Sequence, residues 1–190
     1  MCKASDEKVF PQTVHVFERW FTFKQERTIH LGGSSSIVLR STMREEGRGQ
    51  RYRLLDHTAD AYVEVSAPNM ALAFEEAAFA MFDIMTDPVA VEVTFVDAVD
   101  VSAQDRVSLL HNWLEELLLR FDLHGKVYSS FLVERLEERD QSLHLLATAK
   151  GGLFERGKHP AKVEVKAVTY HRMEVKMSEN ACTVRYILDL

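Results

Sequence analysis

Two stretches with helical hydrophobic spacing most constrain how this chain can fold. The first lies between residues 70 and 85, where apolar residues recur every three or four positions and Asn69 precedes them as a suitable N-cap. The second ends near Gly125, and Ser102 with Asp105 three residues later resembles a capping box before it. The apolar positions of the two stripes are Met70, Phe74, Ala77, Met81 and Met85, then Val107, Leu110, Leu114, Leu117, Leu118 and Phe121. The sequence therefore predicts two amphipathic helices with core-facing stripes.

Segments with strand character surround these helices. The predicted strands are residues 52–56, 61–66, 89–97, 127–136, 142–149, 163–177 and 182–188. Short polar segments join the first two strands as a hairpin or a bent strand pair, and the fourth and fifth strands as an antiparallel hairpin. Gly151 and Gly152 are predicted to end a strand as a turn, and the strand 163–177 is expected to bend near His171. The pattern predicts an α+β fold in which two helices pack on a mostly antiparallel β-sheet within one domain.

The charge changes sign near Met43. Residues 1–42 carry a net charge of +2, whereas residues 43–190 carry −8. Residues 32–36 read Gly-Gly-Ser-Ser-Ser, and residues 44–51 offer no apolar face. We therefore expect residues 1–50 to be an N-terminal extension that is disordered or not native, with Met43 as the true start and one domain at residues 51–190. A transit peptide fits less well because acidic residues are interspersed.

Composition and missing motifs exclude several functional classes. A formal charge of −6 disfavours a protein whose affinity comes from neutralising many phosphates. Only Cys2 and Cys182 are present, so a disulfide framework and a cysteine zinc site are excluded, and Cys182 is expected to be buried and inert. The sequence has no run of about 18 apolar residues, no phosphate loop and no nucleophile elbow. We expect a cytoplasmic protein without a membrane segment.

The segment 56–60 and the last two residues are candidate oxygen ligands. Asp56, His57 and Asp60 lie within five positions, and hard oxygen ligands of this kind suit Ca²⁺ or Mg²⁺. Asp189 and Leu190 end an apolar strand, so pairing of that strand with 61–66 would bring Asp189 to Asp60. The alternative is structural, because Asp and Thr are common turn formers and carboxylates at a chain end are usually solvated.

The segment 158–166 is the second candidate site. If it is a strand, Lys162, Glu164 and Lys166 share one face, and Val163 and Val165 share the other. The functional interpretation is a charged docking surface or a phosphate contact, and the structural one is a solvated face with cross-strand charge pairing. His111, beside the second helical stripe, is interpreted as a packed or half-exposed residue, not a ligand.

Four short blocks resemble the archease family: residues 55–60 (LDHTAD), 77–82 with 85–86, 158–160 (KHP) with 164–170, and 187–190 (ILDL). The match runs from about Tyr52 to the last residue, and the lead at 1–50 has no counterpart in it. His171 and Arg172, after the Thr-Tyr pair, depart from the family pattern. The resemblance implies a single archease-like domain.

The resemblance implies a small accessory protein, not an enzyme, that activates an RtcB-type RNA ligase. That ligase joins RNA 2′,3′-cyclic phosphate and 5′-hydroxyl ends in tRNA splicing and RNA repair, and the activator promotes its guanylylation and multiple turnover. The implied metal ligands are Asp60 and Asp189, with Leu190 beside them, for calcium or alternatively magnesium or manganese. The residues implied in docking or activation are Asp56, His57, Lys158, Glu164 and Lys166.

Two other classes of function remain open from the residues. The first is a stand-alone metal-dependent phosphohydrolase or nuclease that uses Asp60 and Asp189, although no general base is evident. The second is a chaperone-like binder, which would need a broad exposed apolar surface that the alternating strands do not suggest. A net charge of −8 on residues 43–190 suits a basic protein partner better than RNA, so direct RNA binding is not required.

Overall fold

A computed structural model describes residues 52–55 and 60–190, together with the backbone of two short strands near the N-terminus. Those strands, β1 (Thr28–Ile29) and β2 (Ile37–Val38), pair antiparallel with each other. Chain contacts separate two units, Met1–Gly47 and Arg48–Leu190. Apart from β1 and β2, the predicted N-terminal extension lies outside the described residues, so its native status stays a prediction.

The second unit contains two helices and seven strands within the described residues. In chain order they are β3 (Arg53–Leu55), β4 (Ala61–Ala67), α1 (Met70–Met85), β5 (Phe95–Ala103), α2 (Arg106–His124), β6 (Lys126–Arg139), β7 (Ser142–Leu153), β8 (Ala167–Met177) and β9 (Cys182–Asp189). The strands form two antiparallel sheets in the orders β3-β4-β9-β8 and β5-β7-β6. The predicted α+β fold and both predicted hairpins are confirmed. Neither helix combines the length and apolar character that crossing a membrane requires.

Helix α1 forms where its sequence predicts and buries its stripe in the core. Asn69 is the N-cap, and its side-chain oxygen accepts a hydrogen bond from the Leu72 amide at 2.9 Å. Two buried polar side chains attach to the α1 backbone: Trp113 Nε1 donates to the Phe74 carbonyl at 3.0 Å, and the Tyr186 hydroxyl donates to Ala77 at 2.7 Å. Because these bonds satisfy aromatic polar atoms in the core, they fix α1 against α2 and β9.

Helix α2 covers one edge of each sheet. His111 Nε2 lies 3.1 Å from the Val168 carbonyl of β8, and Asn112 donates to the Ser102 carbonyl of β5 at 2.9 Å. Arg120 donates to a second β5 carbonyl, that of Ala98, at 3.1 Å. These bonds satisfy carbonyls that the outer strands would otherwise present to a new strand.

The start of α2 corrects one prediction. Ser102 lies within β5 and does not cap the helix, whereas Asp105 is the N-cap and accepts bonds from the Val107 and Ser108 amides at 2.9 Å each. Asp105 is the cap because it immediately precedes the helix, so its carboxylate reaches the free amides of the first turn. The predicted end is confirmed, since Gly125 is the C-cap in a left-handed conformation (φ 64°).

The predicted strand 89–97 is wrong over its first half. A 3-10 turn occupies Pro88–Ala90, and β5 begins only at Phe95. Proline suits the start of such a turn, and the Asp87 carboxylate accepts from the Val89 amide at 3.1 Å. The predicted turn at Gly151 and Gly152 is also wrong, because both lie buried inside β7.

The glycine at position 151 reflects a close approach of two strands. A Cβ at Gly151 would lie 1.9 Å from the Val127 carbonyl oxygen, a distance that no real side chain tolerates. Glycine is therefore required here by backbone packing between β7 and β6, and not by a turn.

The predicted strand 163–177 is wrong over its first four residues. Strand β8 starts at Ala167, opposite Asp189, so residues 160–166 lie before the last registered pair with β9, and Lys166 alone among them bonds to β9, through its amide and the Asp189 carbonyl. Val163 is 43% exposed whereas Val165 is 2% exposed, so the two valines differ in burial, although they were predicted to share one face of a strand. The predicted bend near His171 is confirmed by a register shift between Thr169 and Glu174.

Candidate functional site: an acidic strand end and an anchored strap

Strands β4 and β9 bring Asp60 and Asp189 to the same end of their sheet. Ala61 pairs with Leu188, so Asp60 immediately precedes this pair on one strand and Asp189 immediately follows it on the other. Neighbouring strands lie about 5 Å apart, so the two residues occupy adjacent backbone positions. Asp189 is exposed, and Asp60 is half-buried and engaged with a neighbour. We call Asp60 and Asp189 the acidic strand end; the strand pairing that the sequence left open is present.

Lys166 secures the last residues of β9. Its backbone amide donates to the Asp189 carbonyl at 2.8 Å, and its ammonium donates to a main-chain oxygen of Leu190 at 2.7 Å. The Leu190 side chain is partly buried against the core. Lys166 therefore lies beside the acidic strand end, and its ammonium competes with any cation for the Leu190 oxygen.

The donor chemistry of the acidic strand end suits a hard cation, but the described donors are few. Carboxylate oxygens are the ligands that calcium and magnesium prefer, and calcium takes about six to eight of them. Within residues 52–55 and 60–190, no group of three or more His, Cys, Asp or Glu residues converges as a metal site. Asp56 and His57 lie outside the described residues. Asp60 and Asp189 would thus supply part of a coordination shell.

Residues 158–166 form a connecting segment that we call the strap, and its middle is tied to the end of α1. The Lys162 amide donates to the Met85 carbonyl at 3.0 Å, and the buried Thr86 hydroxyl donates to the Pro160 carbonyl at 2.7 Å. The Lys162 ammonium donates to the Asp83 carboxylate at 2.9 Å and to its carbonyl at 2.8 Å. These four bonds fix the path of a segment that belongs to no strand.

Asp83 links the strap to the start of the domain as well. The Tyr52 hydroxyl donates to its other carboxylate oxygen at 2.8 Å. Burial, together with the nearby Asp83 carboxylate, raises the pKa of Tyr52 to about 12. Asp83 is thus a shared acceptor for Tyr52 and Lys162. Helical spacing gives no indication of this role, because the two partners of Asp83 lie 31 and 79 residues away in the chain.

The three predicted docking residues of the strap differ in their surroundings. The Lys158 ammonium lies 3.3 Å from Glu92 and 3.4 Å from Glu155, and the hydrogen bond to Glu92 is the main reason that its pKa is raised. Glu164 is exposed and makes no ion pair with any other described residue. Lys166 holds the end of β9. The structure therefore brings Lys166 to the acidic strand end, whereas Lys158 lies in a separate turn beyond the α1 anchor.

The other residues considered from the sequence have packing roles. His111 is half-buried and stacks on Tyr170 with ring centroids 4.0 Å apart, which agrees with a packed residue. Met81, Met85 and Cys182 are buried, and burial raises the pKa of the Cys182 thiol. Cys182 is thus buried as predicted.

Comparison with known proteins agrees with this architecture. The model of the Archease protein family (MTH1598/TM1083) matches residues 52–190. A protein archease from Methanothermobacter thermautotrophicus is 41% identical over 139 residues, covering 73% of this chain and 98% of the relative. A protein archease from Methanopyrus kandleri is 37% identical over 136 residues, covering 72% and 96%.

A solved structure shows the same fold. The solution structure of Methanobacterium thermoautotrophicum protein 1598 superimposes with a TM-score of 0.64 and 38% identity, covering 74% of this chain and 99% of that one. The second unit is thus an α+β domain in which two helices pack on antiparallel sheets and the central strand pair ends in two carboxylates. The chain belongs to the archease family, as the sequence blocks predicted.

Proposed function

We propose that this chain is an accessory protein that activates an RtcB-type RNA ligase in tRNA splicing and RNA repair. It would promote guanylylation of the ligase and so permit multiple turnover. The main supporting observation is the β4–β9 register, which places Asp60 beside Asp189 with Lys166 bonded to the same strand end. Membership of the archease family supports the proposal, since the sequence blocks that carry the resemblance include these residues.

Asp60 and Asp189 are the proposed metal ligands, with calcium as the first candidate and magnesium or manganese as alternatives. A divalent cation there would supply positive charge at an exposed acidic surface. The Lys166 ammonium already donates to the Leu190 oxygen at 2.7 Å, so its positive charge would oppose a cation that used the same oxygen. Asp56 and His57 are proposed to lie close to these ligands and to act in docking or activation.

Docking on the ligase is assigned to the strap residues Lys158, Glu164 and Lys166. All three side chains are exposed, and the strap backbone is held by the α1 anchor and by β9. A charge of −8 over residues 43–190 favours association with a basic protein surface. Binding to RNA is not required in this proposal, and the expected setting is the cytoplasm.

The test is RNA ligation under multiple-turnover conditions, with the cognate RtcB-type ligase, GTP and Mn²⁺ and catalytic amounts of the full chain. Wild-type protein should sustain turnover, whereas Asp60→Ala and Asp189→Ala should not. Asp100→Ala is the matched control, because Asp100 is an exposed aspartate on β5 in the other sheet. Turnover that is unchanged by wild-type protein would refute the activator proposal.

The same experiment separates activation from catalysis by the chain itself. A stand-alone phosphohydrolase or nuclease would cleave phosphoesters with metal but without ligase, and the activator would not. Charge reversal tests docking: Lys166→Glu should abolish activation, whereas Lys176→Glu, at the far end of β8, should not. Equal activation by both reversed variants would remove Lys166 from the docking surface.

A further inference from the structure

A histidine closes the turn that carries Lys158. The Glu155 carbonyl accepts bonds from the Lys158 amide at 3.1 Å and from the His159 amide at 3.0 Å. In the opposite direction, the Glu155 amide donates to Nδ1 of the His159 imidazole at 3.0 Å. Both polar backbone groups of Glu155 are therefore satisfied within the turn, one of them by a side chain.

The hydrogen bond at Nδ1 fixes the protonation of the ring. Because Nδ1 accepts a hydrogen bond, it carries no proton, and the single ring proton of a neutral His159 lies on Nε2. That Nε2 is buried and has no partner among the described residues, and the whole residue is only 5% exposed. The ring packs near Phe154, with centroids 5.8 Å apart. An apolar residue could fill this space without an unpaired donor, so the acceptor at Nδ1 is the feature that an imidazole adds.

We propose that His159 is a positioning residue that holds Lys158 in place through the Glu155 amide. Lys158 follows Gly157, whose φ of 89° reverses the chain, and among the described residues its exposed side chain pairs with two surface carboxylates, those of Glu92 and Glu155. The backbone direction at Lys158 therefore depends on the turn, which two backbone bonds to the Glu155 carbonyl and one side-chain bond, from the Glu155 amide to Nδ1, hold closed. The functional part rests on the proposed role of Lys158 in activation, whereas the structural part stands on this geometry alone.

Two substitutions separate an acceptor role from simple filling of the core. The amide oxygen of asparagine lies close to where Nδ1 lies on an imidazole, whereas that of glutamine lies one carbon further out, near Nε2. His159→Asn should therefore keep the bond to the Glu155 amide, and His159→Gln should lose it. If the residue serves only as filler, the larger glutamine should be tolerated at least as well as asparagine.

The first measurement uses the full-length wild-type chain with ¹⁵N-labelled histidine. Two-bond ¹⁵N–¹H correlations should identify His159 as the Nε2-protonated tautomer. Amide exchange at Glu155 should be slow in wild type and in His159→Asn, and roughly tenfold faster in His159→Gln. An Nδ1-protonated ring in wild type, or equal exchange in the two variants, would overturn the proposal without any assay of activity.

The second measurement connects the turn to activation of the ligase. The protein concentration that gives half-maximal activation should rise by a similar factor in His159→Gln and in Lys158→Ala, and should stay near the wild-type value in His159→Asn. A normal value for His159→Gln beside a raised one for Lys158→Ala would refute positioning through His159. If Lys158→Ala activates normally, the docking role of Lys158 fails, and the exchange data still decide whether His159 holds the turn.

Discussion

Acidic side chains have different neighbours in the middle and at the end of the strand pair β4 and β9. In its middle, Glu64 lies directly opposite Arg185, with side-chain atoms 2.5 Å apart, and Arg53 of β3 bonds the other carboxylate oxygen. At its end, Asp60 and Asp189 lie at adjacent positions, so that two carboxylates occur side by side across the same strand pair. The same two strands therefore carry a carboxylate paired with arginine and, four positions away, two acidic residues of like charge.

This difference indicates which acidic residues serve stability. Like charges at facing positions of a sheet destabilise it, whereas opposite charges stabilise it. Burial alone would raise the pKa of Glu64, but hydrogen bonds from Arg185 and Arg53 outweigh it and lower that pKa below the ordinary value of 4.5. Glu64 thus needs no external ion. At the acidic strand end we propose a cation instead, since two adjacent carboxylates repel each other.

The largest expected effect is stabilisation of the acidic strand end by metal. Calcium at a hundred times its dissociation constant should raise the free energy of unfolding of wild-type protein by about 2.7 kcal/mol. Asp189→Asn should show little of this gain, and Asp100→Asn should show all of it. Urea unfolding with calcium and with chelator measures the difference. A full calcium response in Asp189→Asn would place the cation elsewhere.

The next effect concerns the compensated carboxylate. Glu64→Gln should lower the free energy of unfolding at pH 7 by about 2 kcal/mol, because it leaves Arg185 facing a neutral partner at a buried position. Calcium should stabilise this variant as much as wild type. Glu174→Gln, which removes the half-exposed second partner of Arg185, is the control and should change stability little.

The pH dependence of this variant follows from the sign of the shift. Since the pKa of Glu64 is lowered on folding, its ionic contribution is present above about pH 4.5 and disappears as the pH falls through the folded-state value. The gap in stability between wild type and Glu64→Gln should therefore narrow in acid. A gap that stays constant from pH 7 to pH 3 would mean that packing, and not charge, explains the loss.

Local features of the sequence predicted much of this fold. The stripe at 70–85 and the cap at Asn69 gave α1 its correct bounds, since capping and helical periodicity act within a few residues. The errors arose where long-range contacts decide. Gly151 is a glycine because of Val127 in the neighbouring strand, and β8 begins at Ala167 because that residue faces Asp189 in the last registered pair.

The candidate site divides in the same way. Asp60 and Asp189 could be named from residue type and from the resemblance, but only the β4–β9 register shows that they are neighbours. No periodicity links Asp83 to Lys162, because the two lie 79 residues apart and meet through the irregular strap. Likewise, the sequence gives no sign that the imidazole of His159 closes the turn before it.

A smaller effect is expected where the Tyr52 hydroxyl bonds to Asp83, the residue that also anchors the strap. Tyr52→Phe removes the bond to Asp83 and should lower the free energy of unfolding by about 1 kcal/mol at pH 7. Because the pKa of Tyr52 rises from 10.0 to about 12 on folding, its contribution is present below pH 10 and is lost as the pH rises toward 12. As the pH rises from 10 to 12, the free energy of unfolding should fall less in Tyr52→Phe than in wild type, and urea unfolding measures the difference. If the free energy of unfolding falls equally in both proteins over this pH range, ionisation of Tyr52 does not contribute to the loss.

The smallest effect is the relief of repulsion at the acidic strand end. In chelator and at low salt, Asp189→Asn should raise the free energy of unfolding by about 0.3 kcal/mol, since one of two adjacent negative charges is removed. The gain should shrink in 1 M salt, where the screening length is about 3 Å. Asp100→Asn, on the other sheet, should show no such salt-dependent gain. If Asp189→Asn is instead less stable than wild type in chelator, Asp189 is compensated within the protein. The contrast with Glu64 would then disappear, because both carboxylates would serve the stability of the same strand pair.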